Sequence, residues 1–374
     1  ELNEIKEKFG DDRRTQISND AATIDDEDLI PEEQIVITLS KGGYVKRLTA
    51  DSFKAQNRGG RGVRGASLND NDVVDLMVYT KTHTDLLFFT SLGKVYRIRG
   101  YQIPEYQRTG KGIPVINLIN IEKGESVKSI IAVDDYKPEN YLVFFTEQGL
   151  VKKTPVSEYE SIRQNGKIAI GMREDDMLLD VKEITETVDP ETNEVKDTMI
   201  GIAASNGKMV NFPSSEIRPM GRSATGVKGI ELYEGEKVVG CTTSMEGHII
   251  LVLTDKGYGK MTDASDGAYR ITKRGAKGVS TLKSTDKVGK LVAVRAVEGD
   301  EDLMVITNAG IVIRTHLNQI RIIGRNTQGV KVINLEGRQK VSSIAIVPFE
   351  EESEEVEEEV IDPTEETTEE VAST

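Results

Sequence analysis

Arginine and glycine are packed together at Gln56-Asn57-Arg58-Gly59-Gly60-Arg61-Gly62, and this combination suits the binding of an anion. A residue without Cβ lets backbone N–H groups approach phosphate oxygens and admits φ > 0 in a tight loop. The planar guanidinium grips a phosphate through two bonds. Loops of the same kind, ending in glycine and a β-branched residue, recur at Gly62-Val63, Gly112-Ile113, Gly226-Val227, Gly278-Val279 and Gly329-Val330. In or beside them stand Arg58, Arg61, Arg64, Arg108, Lys111, Arg163, Lys167, Arg222, Lys228, Lys273, Arg274, Lys277, Arg325 and Lys331. Other chemistry is poorly supplied. His83, His248 and His316 are far apart in sequence, and no nucleophile, base and orienter stand together. Asp25-Asp26-Glu27-Asp28 lacks the spacing and turn glycine of a calcium loop. Gly60-Arg61-Gly62-Val63-Arg64-Gly65 fits G-x-G-x-x-G, but a strand-like segment follows it where a dinucleotide site needs a helix.

The loops belong to a unit of about 50 residues written six times. Its other landmark is a turn, T-x-x-G, ending at Gly93, Gly149, Gly257 and Gly310, with Gly43 and Gly207 in looser surroundings. From turn glycine to loop glycine the count is 19 in four repeats and 21 in a fifth. Apolar runs at 35–39, 86–90, 141–146, 249–254 and 303–307 precede the turn, and a second strand follows it. After the basic loop comes a V-x-G-x-x-L type strand (63–68, 113–118, 227–232, 330–335), and a further strand closes the unit (127–133, 291–297, 341–347). Four strands per repeat predict an all-β, six-bladed, propeller-like disc, whose closure also disposes of exposed sheet edges. The expected blades run over about 35–80, 83–136, 140–188, 197–245, 247–298 and 301–347.

The net charge of −15 hides a division by region. Residues 348–374 hold 13 acidic and no basic residues, and residues 1–34 hold 12 acidic and 4 basic. The repeats between them carry 44 basic against 38 acidic residues, a balance of +6. Residues 1–34 read as a short helical segment and acidic linker, and 348–374 as a disordered tail that cannot form a core. Besides the loops, the strand after the turn is basic: Lys46 and Arg47, Arg97 and Arg99, Lys152 and Lys153, Lys260, and Arg314. Equivalent positions in a ring of blades point the same way, so one basic cluster per blade becomes a belt. Such a belt fits a continuous polyanion, with duplex DNA the prime candidate. Cys241 is the lone cysteine, so there is no disulfide framework, and its strand setting predicts a core position. The composition and the lack of a long apolar run fit a soluble, cytoplasmic protein with no membrane partner.

Gln56 to Gly62 resembles the box Q-[R/K]-R-G-G-[R/K]-G that marks the C-terminal domain family of DNA gyrase A subunits, with Asn57 where the family has a basic residue. The six repeats are similar to that family's six-bladed β-pinwheel. Residues 1–14 resemble the end of the helical arm that closes the breakage and reunion domain, and 24–29 its linker. The third repeat departs most, having Asn165-Gly166-Lys167-Ile168 where the others place an apolar residue after the glycine. The resemblance implies a monomeric, non-catalytic domain that binds, bends and wraps duplex DNA so that the holoenzyme, an A2B2 assembly with the B subunit, introduces negative supercoils. It implies that the box, with Gly59 and Gly60, and the basic residues named above contact DNA. It also implies no cofactor in this chain, since ATP and magnesium are bound elsewhere in the enzyme. Two alternatives stay open: the C-terminal domain of the topoisomerase IV A subunit, which has the same blades with eroded boxes, and a propeller scaffold that binds an acidic protein.

Overall fold

The computed structural model describes residues 1–10, 29–49, 74–107, 110–188, 195–265, 267–309, 311–335, 337 and 339–347. The box at 56–62, Arg64, Arg108 and the tail from 348 lie outside the described residues. A short helix, Leu2–Phe9, opens the chain with every residue exposed. Six blade sheets follow, as the repeats predict, with a two-stranded ribbon, Thr187–Val188 with Val195–Lys196, between the third and the fourth.

Each sheet is built on a tight hairpin, for example Asp85–Thr90 with Lys94–Arg99. The threonine of T-x-x-G turns the chain: Gly93 N–H donates to the Thr90 carbonyl (2.9 Å), and Thr90 Oγ1 accepts from the Lys94 N–H (3.2 Å). Gly93 has φ +77°, a left-handed conformation that favours glycine. The same bonds to threonine Oγ1 recur at Thr146, Thr254 and Thr307.

The closing strand of each repeat pairs with the other edge of the first strand and lies innermost. These strands, Val74–Lys81, Val127–Val133, Leu178–Thr185, Val238–Thr243, Leu291–Val297 and Val341–Val347, touch one another in succession around the axis, and the last touches the first. The ring is closed. Lys41 of the first blade also donates to Ser343 Oγ of the sixth (2.9 Å). A register shift falls at the turn end of every first strand, as at Phe89/Thr90 and Leu253/Thr254, the kind of bulge that strengthens local twist.

The first strands are buried on both faces, which is why they read as unbroken apolar runs. Side chains alternate across a strand, so Leu86 and Phe88 pack towards the first blade while Leu87 and Phe89 pack towards the third. Phe89 meets Phe144 of the third blade edge to face, centroids 5.4 Å apart. Each junction from the first blade to the sixth is filled in this way. Cys241 lies in the core, as its strand setting predicts.

The structure corrects one expectation. The strand after the basic loop does not join the blade of its own repeat but the outer edge of the preceding one. Ile113–Pro114 pairs with Tyr44–Thr49, Lys167–Ile168 with Lys94–Arg99, Val227–Lys228 with Leu150–Pro155, Val279–Ser280 with Lys208–Pro213, and Val330–Lys331 with Tyr258–Asp263. It is also only two residues long in each case. Among the described residues the sixth sheet accordingly has three strands.

Candidate nucleic-acid interface

With the closing strands at the axis, the donated loops occupy the outer edge of the ring. Each loop of repeat n+1 is held along the second strand of blade n. At one end a parallel bridge forms, Arg47 with Glu105, Lys153 with Pro219, and Met261 with Ile322. At the other end the loop glycine presses on the second strand. A Cβ at Gly226 (φ +94°) would stand 2.6 Å from the Val151 carbonyl oxygen, and one at Gly329 2.6 Å from that of Gly259. The third repeat keeps this glycine as Gly166 (φ +73°), against Val95 and Tyr96, so its loop is shortened rather than lost.

Neighbouring loops are tied to each other. Gly171 N–H donates to the Ala224 carbonyl (3.1 Å), Glu231 N–H to Ala276 (3.0 Å) and Lys283 N–H to Thr327 (3.0 Å). Arginines four residues before the loop glycine add a second tie: Arg274 donates to the Lys228 carbonyl (2.7 Å) and Arg325 to the Ser280 carbonyl (3.0 Å). Arg222 occupies the same place, half-buried, with its Nε buried and unpartnered.

The expected belt therefore divides into groups. Lys111, Lys228, Lys273, Lys277 and Lys331, all on the loops, are exposed, as is Arg163. Lys111 stands over the Tyr44 ring at 4.0 Å. Lys167, Arg222, Arg274 and Arg325 are half-buried. The strand set is different, and four of its members are not on the rim at all. Lys152 and Lys260 are 0% exposed, Lys153 2% and Lys46 7%. For Lys46, Lys152 and Lys260 the cause is the donated loop, which covers the face of the second strand that would otherwise meet water; Lys153, on the opposite face of its strand, is covered beside Glu186 and the Ser214 carbonyl. Lys153 donates to Glu186 (2.8 Å). The strand arginines are paired within the fold: Arg47 with Glu105 (3.3 Å), Arg97 and Arg99 with Asp85 (3.4 and 3.3 Å), and Arg314 with Asp302 (2.6 Å).

The structure also brings out arginines that the repeat pattern alone did not single out. A buried anchor begins four of the described loops, namely Ile162, Ile217, Tyr269 and Ile320, and an exposed arginine follows it directly: Arg163, which the repeat pattern had already marked, and Arg218, Arg270 and Arg321, which it had not. The signal was the shared position after an apolar residue, 11 residues beyond the turn glycine for both Arg218 and Arg321.

The family described as DNA gyrase C-terminal domain, beta-propeller, matches residues 34–78, 84–134, 140–184, 202–244, 248–298 and 301–348. This chain belongs to the DNA gyrase C-terminal domain family. Each matched segment covers one of the six repeats, which accounts for the sixfold ruler in the sequence. The DNA gyrase A subunit of Ureaplasma parvum serovar 3 is 48% identical over 346 residues, covering 92% of this chain and 40% of the relative. The corresponding protein of Staphylococcus aureus (strain COL), also a DNA gyrase A subunit, is 46% identical over 358 residues, covering 95% of this chain and 39% of the relative. The chain thus spans about 40% of the length of these relatives. A solved DNA gyrase A C-terminal domain superposes with a TM-score of 0.63 at 26% identity, covering 84% of this chain and 100% of that one. The C-terminal domain of DNA topoisomerase IV shares the fold, with a TM-score of 0.69 at 24% identity, covering 85% of this chain and 94% of that one.

Proposed function

We propose that this domain binds duplex DNA along its outer edge and bends it around the ring, so that DNA gyrase introduces negative supercoils. The observation that carries the reading is the once-per-blade recurrence of exposed cations on loops fastened to one edge: Lys111, Arg163, Lys228, Lys277 and Lys331, with Arg218, Arg270 and Arg321 beside them. Phosphates recur along DNA without regard to sequence, and a regular row of cations fixed to a rigid curved support matches them better than it would match a folded acidic protein. Wrapping costs elastic energy, on the order of 1–6 kcal/mol for 20–30 base pairs bent by 40–90°. Many small phosphate contacts offset that cost only if the support does not yield, and the hydrogen bonds from loop to loop serve this need.

In this reading the domain is not itself catalytic. The cleavage chemistry belongs to the rest of the A subunit, and ATP and magnesium belong to the holoenzyme with the B subunit, an A2B2 assembly acting on chromosomal DNA in the cytoplasm. Titrating duplexes of unrelated sequence at several salt concentrations tests the proposal. Affinity should fall steeply with salt and vary little with sequence. A salt-independent affinity, or tight binding to a single sequence, would remove it.

A further inference from the structure

Lys46, Lys152 and Lys260 each stand three residues beyond a turn glycine, on alternate blades, beneath a loop donated by the next repeat. Their ammonium groups reach the loop's interior. Lys46 Nζ donates to the Gly110 carbonyl (2.8 Å). Lys152 Nζ donates to the carbonyls of Ala169 and Arg222 (both 2.6 Å) and lies over the Phe144 ring. Lys260 Nζ donates to Gly324 (2.8 Å), to Arg325 and to Thr327 Oγ1 (3.0 Å). Relative to the loop glycines Gly226 and Gly329, Arg222 and Arg325 are the same position. Two blades thus hold their loops by one device, and in each one of the captured carbonyls belongs to the half-buried arginine four residues before the loop glycine.

The other blades do this differently. The corresponding residues are Tyr96, Val210 and Ile313. Above Val210 the loop of the fifth repeat turns Ala276 inwards against the apolar cluster, so its interior is filled without a cation. A buried carbonyl left without a donor costs roughly 1–3 kcal/mol, so an apolar side chain cannot simply replace Lys152 or Lys260 under loops that direct carbonyls inwards.

We propose that Lys46, Lys152 and Lys260 are positioning residues for nucleic-acid binding: each locks the loop of the following repeat onto its blade and thereby fixes the cations that loop presents. The proposal rests on the reading that the loops contact duplex DNA. Burial lowers Lys152 to about 7, with Arg222 of the loop adding to the effect and Glu158 opposing it. Tyr159, the other titratable group on the adjoining turn of helix, donates to the same Ala169 carbonyl. Burial, with Arg325, lowers Lys260 to about 8. An opened loop would return either lysine to water and to its ordinary value near 10.4.

The test measures amide hydrogen exchange and duplex affinity on the whole chain, in wild type, Lys152→Met and Lys260→Met. Protection should drop at least about tenfold at 219–226 in the first variant and at 322–329 in the second, with 271–278 unchanged in both. Duplex affinity should fall about tenfold in each, the worth of roughly one charge-assisted contact. In wild type, the protection factors of both loops should rise with pH, from about 7 at the Lys152 loop and about 8 at the Lys260 loop towards about 10. The closed loop binds the proton more weakly, so opening takes one up and becomes harder as protons grow scarce. Methionine should flatten that profile. Unchanged loop exchange in both variants would overturn the lock. Faster exchange with undiminished affinity would overturn the positioning role while leaving DNA binding intact. Failure of the wild-type chain to bind duplex DNA would instead bring down the reading beneath the proposal. Should Lys152→Met not fold, Lys260→Met decides the matter alone, by its exchange at 322–329 and its duplex affinity.

Discussion

Replacing Lys228, Lys273, Lys277 and Lys331 together with alanine removes four exposed ammonium groups from the donated loops without entering the core. Each phosphate neutralised on B-DNA contributes about 0.9 to the slope of log K against log salt. If each of the four lysines meets one phosphate, the slope of the variant should be shallower by about 3.6. Between about 50 and 200 mM salt that difference amounts to roughly two decades of affinity. The assay is fluorescence anisotropy with a labelled duplex at five or six salt concentrations, and far-UV circular dichroism confirms that the variant is folded. Lys137, exposed in the connection between a closing strand and the next first strand, supplies the control: its alanine variant should keep the wild-type slope. A quadruple variant with the slope of wild type would refute the assignment of DNA to the loop-bearing edge, even if its affinity changed.

Gly226→Ala should destabilise the domain by about 1–3 kcal/mol in urea melts, because φ is +94° and the Val151 carbonyl lies 2.6 Å from the new Cβ. Phe89→Ala, which empties the space between the rings of Phe144 and Tyr159, should cost about 3–5 kcal/mol by the same measurement. The pair Arg58→Ala and Arg61→Ala should impair supercoiling by reconstituted enzyme while leaving the melting midpoint near wild type. Lys152→Ala with Lys153→Ala should instead lower that midpoint, since both side chains are buried. Deleting 348–374, with its 13 carboxylates, should tighten duplex binding at low salt and matter less as salt rises; equal affinity at low salt would reduce the tail to a solubilising segment.

Much of the architecture was legible in the sequence because two glycines per repeat have conformational reasons to be where they are. The turn glycine must adopt positive φ, and the loop glycine must lie against a neighbouring carbonyl, so both leave a fixed spacing. The first strands were equally legible: buried on both faces, they are filled mainly by apolar residues, with the buried Asp85 and Asp302 at their starts held by arginine partners. Which blade takes each short outer strand was not legible, since an apolar dipeptide such as Ile113-Pro114 pairs as well with a preceding hairpin as with its own. The misplacement of Lys46, Lys152 and Lys260 has the same origin. Lysine on a strand flanked by hydrophobic residues reads as facing solvent, and only the donated loop closes over that face and offers carbonyls to the ammonium. The exposed arginines after Ile217 and Ile320 were missed for the converse reason: their loop position becomes meaningful only once the anchors are seen to be buried.

The most direct test of the account is topological. A nicked plasmid is incubated with increasing amounts of the domain, sealed with ligase, stripped of protein and resolved on a gel. Wrapping of fixed hand around the outer edge predicts a shift in linking number that grows with the amount of domain and keeps one sign throughout, and that is lost in the quadruple lysine variant. Binding without any shift, or a shift that the quadruple variant reproduces in full, would contradict it.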